Sequence, residues 1–238
     1  MYLYVWNFIL AILVVREANC IVIDLCHGYQ NQSTTCWTAT QRFEIFGERR
    51  GTGPNGWYST QSFSVSEHCG THLDAPYHFY QEGWKLDEIP LERMVVEVDN
   101  LKKWEHDNGP LPHRCVILVN FGWAHKFGNR QLYYNNVTER SLLSFPGLSK
   151  EAAQWIVDCK KVFGIGVDGP SVDPGISKSS DVHKILSKAN LYNLENVALN
   201  GTTLPPKGFK LIIQPIKIIG GTGGPCRILA FTNNTFEK

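Results

Sequence analysis

The sequence predicts a single α/β domain with a mixed β-sheet core, and three observations carry that reading. At 238 residues the chain suits one domain with ample length for a core. Apolar, β-branched runs of strand length recur from Ile21 to Thr232, whereas helical periodicity is clear only after Ser149 and a second helix is expected near Ser180. The hydrophobic fraction of 43% and charged fraction of 19% are those of a globular protein, not of a disordered or membrane-embedded one.

The chain opens on an apolar stretch, Tyr2 to Val15, broken only by Asn7 and short for a bilayer span. Ala18 and Cys20 follow at a spacing that signal peptidase accepts, so residues 1–20 read as a cleaved signal peptide and 21–238 as the domain. No basic region precedes the run, which leaves a buried N-terminal helix or strand as the alternative. Secretion, with no membrane attachment of the mature form, is the expectation. Sequons at Asn31, Asn136, Asn200 and Asn233 are compatible with a secreted glycoprotein. Of the seven cysteines, Cys26 and Cys36 are the expected disulfide, with buried free thiols the alternative. No CxxC pair occurs, which argues against a cysteine zinc knuckle.

Ile21 to Leu25 reads as a strand, and a Gln-, Ser- and Thr-rich loop leads on to Trp37. Residues 47–60, GERRGTGPNGWYST, hold Gly-Pro and Asn-Gly turn signals and form a surface excursion or hairpin connection. Val95–Val98 and Cys115–Trp123 are strands, the second apolar enough to be buried on both faces. Ala152, Trp155, Ile156, Cys159 and Val162 fall at helical spacing after a capping Ser149, giving a helix that ends near Phe163. Gly164–Asp168 is then a short buried strand, and the Pro-rich loop DGPSVDPG leads to the second helix. Leu211–Gly221 and Cys226–Thr232 are strands joined through a Gly-rich turn, and Pro215 marks an edge or bulge. A net charge of +1 gives no field for nucleic acid, which is excluded as a partner.

Chemistry concentrates in SEHCGTHLDAPYHF, Ser66 to Phe79, where His68, His72, Asp74 and His78 stand within eleven residues. Gly70, Thr71 and Pro76 oppose a long helix there, so a strand-to-loop segment is expected, with His72 and Asp74 pointing the same way. Imidazole and carboxylate together are a ligand set for Zn²⁺, Mn²⁺ or Fe²⁺, in a catalytic rather than a closed structural site. Surface or core histidines gathered by chance are the alternative.

His68-x-Gly70-Thr71-His72-x-Asp74-x-Pro76-x-His78-Phe79 resembles the HxGTHxDxPxHF signature of the cyclase-like metal hydrolases, which include kynurenine formamidases and isatin hydrolases. GVDGPSVDP is similar to that family's GxDxxSxDP, and Asp181-Val182-His183 to its DxH. Leu194-Glu195-Asn196 matches an ENL-type segment, IQPIKIIGGTGGPCRILA its PLKxxGxDGSPxRAxA ending, and Asp24-Leu25 its opening DL.

The resemblance implies a β/β/α swivelling-type fold that forms homodimers or larger homo-oligomers, with the site near the subunit interface. It implies one or two zinc or manganese ions per subunit. His68, His72 and Asp74 would hold the first metal, and Asp74 would bridge to a second held also by His183 and Glu195; His78 would be a ligand or the catalytic acid/base. A metal in such a site lowers the pKa of water from about 15.7 toward about 7 and polarises a carbonyl. The implied activity is arylformamidase-like hydrolysis of a small aromatic amide such as N-formylkynurenine, with isatin, another cyclic amide or a lactone as alternatives. A non-catalytic binding protein on the same scaffold is the competing class. Trp37, Phe43, Tyr77 and Phe79 are the candidate walls of an aromatic pocket.

Two departures stand out. The family's PxWPG loop is reduced to Cys36-Trp37-Thr38, and Gly220-Gly221-Thr222-Gly223-Gly224 replaces GxDGS with loss of an acidic residue. Cys69, between two of these histidines, reads as an inert thiol, a disulfide partner or an extra ligand.

Overall fold

A computed structural model describes residues 20–37, 40–54, 56–90, 93, 95–98, 107, 109–135, 142–201 and 204–233. The leader, the sequon at Asn136 and Thr38 lie outside the described residues, except that Cys20 already belongs to the first strand.

That strand, β1 (Cys20–Asp24), runs antiparallel to β10 (Gly223–Asn233) at the other end of the chain. Between them come β4 (His72–Asp74), β5 (Val95–Val98), β6 (Cys115–Val119), β7 (Val162–Val167), β8 (Tyr192–Glu195) and β9 (Lys210–Pro215). These eight strands form one sheet in the order β1-β10-β4-β8-β7-β6-β5-β9. The sheet curls until β9 pairs with both β5 and β10, closing it on itself. From β5 to β8 neighbours are parallel and elsewhere antiparallel, which gives the mixed α/β architecture with few helices that the sequence predicts.

Alternation along β6 explains its unbroken apolar run. Val116 and Leu118 join Leu25, Leu73, Leu194 and Ile228 in the core enclosed by the curled sheet. Cys115 and Ile117 face the other way, onto Ala153, Ile156, Val182 and Leu186 of the two helices described below. Each fully buried aliphatic side chain of this kind stabilises the fold by about 1.5–3 kcal/mol. On β7, Gly164 and Gly166 leave space for partners from adjacent strands. A Cβ at Gly166 would stand 2.3 Å from Leu118, and one at Gly164 the same distance from the Tyr192 ring.

Helix α1 (Arg130–Tyr134) is a short turn; α2 (Lys150–Asp158) and α3 (Asp181–Lys188) pack beside each other on the outer face. Ser149 caps α2 as expected, its hydroxyl accepting from the Ala152 N–H at 3.1 Å. The helix stops five residues before Phe163, because Lys160 takes a left-handed conformation (φ 54°) and sends the chain into β7. The strand predicted to reach Trp123 ends at Val119 for a comparable reason: the Asp168 carboxylate accepts from the backbone N–H groups of Phe121 (2.8 Å) and Ala124 (3.1 Å), folding that segment into a turn. Pro215, expected at an edge or bulge, is the last residue of β9, where it interrupts no ladder.

The turn-rich stretch at 47–60 lies in a hairpin, β2 (Glu44–Gly53) with β3 (Gly56–Ser64), that forms its own two-stranded sheet.

The disulfide expectation is corrected. Cys36 bonds Cys69, its neighbour across an isolated antiparallel bridge, and Cys26 stays free. Cys26 accepts from the Ile228 N–H at 2.9 Å, and burial pushes its thiol up to about 12. Spacing along the chain could not reveal this pairing, because the bridge that aligns the two cysteines is tertiary.

Candidate active site

β4 carries His72 and Asp74 on one face and Leu73 on the opposite, core-facing one. The antiparallel register with β8 places His72 directly across from Glu195. Local sequence gives no hint of this meeting, since the two residues are 123 positions apart. His183 arrives from the first turn of α3, which packs against the 3-10 turn Pro76–His78.

Asp74 is the centre of the cluster. Its Oδ1 lies 2.7 Å from His68 Nδ1 and 3.2 Å from His72 Nε2, while its Oδ2 is 3.3 Å from His183 Nε2. Glu195 presents Oε1 to His183 Nε2 at 3.2 Å and Oε2 to His72 Nε2 at 3.7 Å. Donor atoms of His72, Asp74 and Glu195 all lie within 4.8 Å of one another, as do those of His68, Asp74 and His78. The two groups share only Asp74, as in the ligand partition implied by the resemblance, but His72 groups with Glu195 and not with His68. The six residues singled out in the sequence are brought to one place. Neutral imidazole nitrogens and carboxylate oxygens aimed at common points are a donor set that fits a divalent cation.

Electrostatics without a cation show what the cluster needs. Asp74 is buried, which opposes its charge, yet His68, His183 and His72 hold its carboxyl well below the usual range. Burial likewise opposes charge on His183, but Asp173, Asp74 and Glu195 raise its pKa well above the ordinary value. Buried carboxylates without balancing positive charge are costly, so the cluster favours a positive charge at its centre.

Further residues orient these side chains. Asp173 Oδ2 lies 2.6 Å from His183 Nδ1, and its carboxylate also accepts the Val182 and His183 N–H groups at 3.0 and 3.1 Å. It therefore caps α3, whereas Ser180 sits outside in a left-handed conformation with no capping bond. His72 Nδ1 meets the Gly70 carbonyl at 2.9 Å, and that carbonyl also accepts from Asn196 Nδ2 at 2.9 Å. Asn196 Oδ1 accepts in turn from the buried Tyr133 hydroxyl at 2.7 Å. Asp173 and Asn196 fall within segments whose pattern is visible in the sequence, but only contact geometry reveals what they do.

The cluster forms the polar floor of a cavity of about 230 Å³. Trp37, Phe79, Tyr134, Leu143 and Phe145 supply apolar wall. Trp37 makes edge contacts with Tyr134 and Phe145, and Phe79 lies 4.2 Å from the His183 ring. Two expected walls are not part of it. Phe43 packs with the Cys36–Cys69 bridge, and Tyr77 lies beneath Lys85. Tyr134, Leu143 and Phe145 escaped notice because they come from a segment with no motif of its own.

The Cyclase family model matches residues 23–98 and 92–174. An isatin hydrolase from Roseibium aggregatum is 27% identical over 194 residues, covering 70% of this chain and 72% of its own length. A kynurenine formamidase from Erythrobacter litoralis is 30% identical over 179 residues, covering 70% and 74% respectively. Among solved structures, isatin hydrolase A from Ralstonia solanacearum matches with a TM-score of 0.81 at 26% identity, covering 90% of this chain and 93% of its own.

Proposed function

This chain belongs to the Cyclase family, and from that membership we propose that it is a secreted metal-dependent hydrolase of an aryl formamide or cyclic amide. The observation that carries the reading is Asp74, with one carboxylate oxygen toward His68 and His72 and the other toward His183, at the floor of an aromatic-walled cavity.

His68, His72, Asp74, His183 and Glu195 would hold one or two zinc or manganese ions. Such an ion acidifies water and polarises a substrate carbonyl as a Lewis acid. His78 is the proton carrier: burial, with the neighbouring histidines adding to it, lowers its pKa to about 4 against the opposing pull of Asp74. It is neutral near pH 7, able to take the proton from attacking water and return it to the departing nitrogen. Asp173 holds His183 in orientation, and the ring faces of Trp37 and Phe79 receive an aromatic substrate while excluding bulk water.

N-formylkynurenine, hydrolysed to kynurenine and formate, is one substrate consistent with this arrangement. Isatin is the second, favoured by the structural likeness to isatin hydrolase A. Secretion draws support from the apolar leader and from the Cys36–Cys69 disulfide, since such bonds persist in oxidising compartments. Asn31 and Asn200, the acceptor residues of two sequons, are exposed, as glycosylation requires. Metal analysis of the secreted chain followed by hydrolysis assays on both compounds tests the proposal. Bound metal with no turnover of any aryl amide would leave the binding-protein reading in its place.

A further inference from the structure

The glycine-rich turn before β10 lies against the back of His68. Because His68 Nδ1 faces Asp74, its other nitrogen points away from the cluster and meets Thr222 Oγ1 at 3.0 Å. The Thr222 hydroxyl donates to Glu67 Oε2, which also accepts from the Thr222 backbone N–H at 3.3 Å. Glu67 itself is 4.0 Å from His68 Nε2, too far for a direct hydrogen bond, so the hydroxyl is the link. The close approach depends on Gly223. A Cβ there would stand 2.5 Å from His68 Cε1 and 2.6 Å from the Leu73 carbonyl.

A hydroxyl has a single proton, and here it is committed to Glu67. Thr222 Oγ1 can then only accept from His68, which requires hydrogen on Nε2 and leaves Nδ1, the nitrogen that faces Asp74, as the one a metal ion would take. We infer that Glu67 and Thr222 form a positioning relay that fixes the tautomer and orientation of His68 as a metal ligand. The inference rests on the metal-hydrolase reading of the site. The relay gives His68 what the Asp173 carboxylate gives His183 directly, and it compensates within this chain for the acidic residue missing from the turn.

Zinc affinity, measured by chelator competition on the purified chain, tests this separately from hydrolysis. Thr222→Val should bind zinc about 10–100-fold more weakly, the range for loss of a partner behind a ligating histidine. Thr222→Ser, which keeps the hydroxyl, should retain wild-type affinity. Glu67→Ala removes the acceptor from a partly exposed position and should also weaken binding even if the valine variant fails to fold. Adding Thr222→Asp to Glu67→Ala brings a carboxylate to His68 directly and should restore affinity. Wild-type affinity in Glu67→Ala, or no recovery in the double variant, overturns the relay. Tight, relay-dependent zinc binding without aryl amide turnover would overturn the hydrolase reading and leave the relay standing, whereas a wild-type chain that takes up no zinc overturns both.

Discussion

His78 stacks on His68 with ring centroids 3.9 Å apart and shares a cluster of donor atoms with His68 and Asp74, so ligand and proton carrier are both open to it by position. Removal separates the two roles. His78→Ala should keep the metal held by the other five residues, read by elemental analysis, while kcat falls about 10²–10⁴-fold, the usual weight of a general acid/base. Loss of the metal together with turnover would make His78 a ligand instead. A second histidine makes a prediction about stability. His27 stacks on Phe127, its Nε2 is buried with no hydrogen-bond partner, and burial lowers its pKa from 6.5 to about 4 despite the opposing pull of Asp168. Between those two values the unfolded chain binds a proton that the folded chain refuses. Its contribution is therefore complete above pH 6.5 and declines as pH falls toward 4. Thermal melting from pH 7 to 4 should show a shallower decline for His27→Phe, which keeps a stacked ring without the titrating group.

The segment from Cys36 to Asp74 ties a loop to a strand. Cys36 bonds Cys69, next to His68, while Trp37 lines the cavity, so the disulfide joins the apolar wall to the polar floor. For a separation of 33 residues the chain-entropy estimate is about 4 kcal/mol. Denaturant unfolding with and without reductant should show a loss of that order, and Cys36→Ser should reproduce it; an unchanged midpoint would mean that the disulfide adds no stability. Elements differ in how far the sequence reveals them. The periodic residues after Ser149 and the apolar run of β6 were legible because each pattern reports on its own burial. The points at which they end were not, since Lys160 and the Asp168 carboxylate act through conformation and distant hydrogen bonds. The disulfide partner was hidden for the same reason, and so was the Trp37–Tyr134–Phe145 wall.

At the scale of the molecule, the curled sheet draws residues from 68 to 195 into one site, a convergence that resemblance could anticipate but spacing could not. Outside it the β2–β3 hairpin displays Trp57, Tyr58 and Phe63, which are 66%, 63% and 58% exposed. Apolar surface of this kind marks an interaction site, and the homodimer that the family resemblance implies would be one use of it. Light scattering should give twice the single-chain mass for the wild type and a shift toward the monomer for Trp57→Ser/Phe63→Ser; a monomeric wild type would contradict a homodimer. Stripping the chain with chelator, restoring zinc or manganese, and following hydrolysis of isatin and N-formylkynurenine tests whether Asp74 and its histidines hold a metal that drives amide hydrolysis. Turnover of at least one compound should vanish with the metal and return with it. Turnover indifferent to chelation, or none in the metal-loaded chain, would rule that role out.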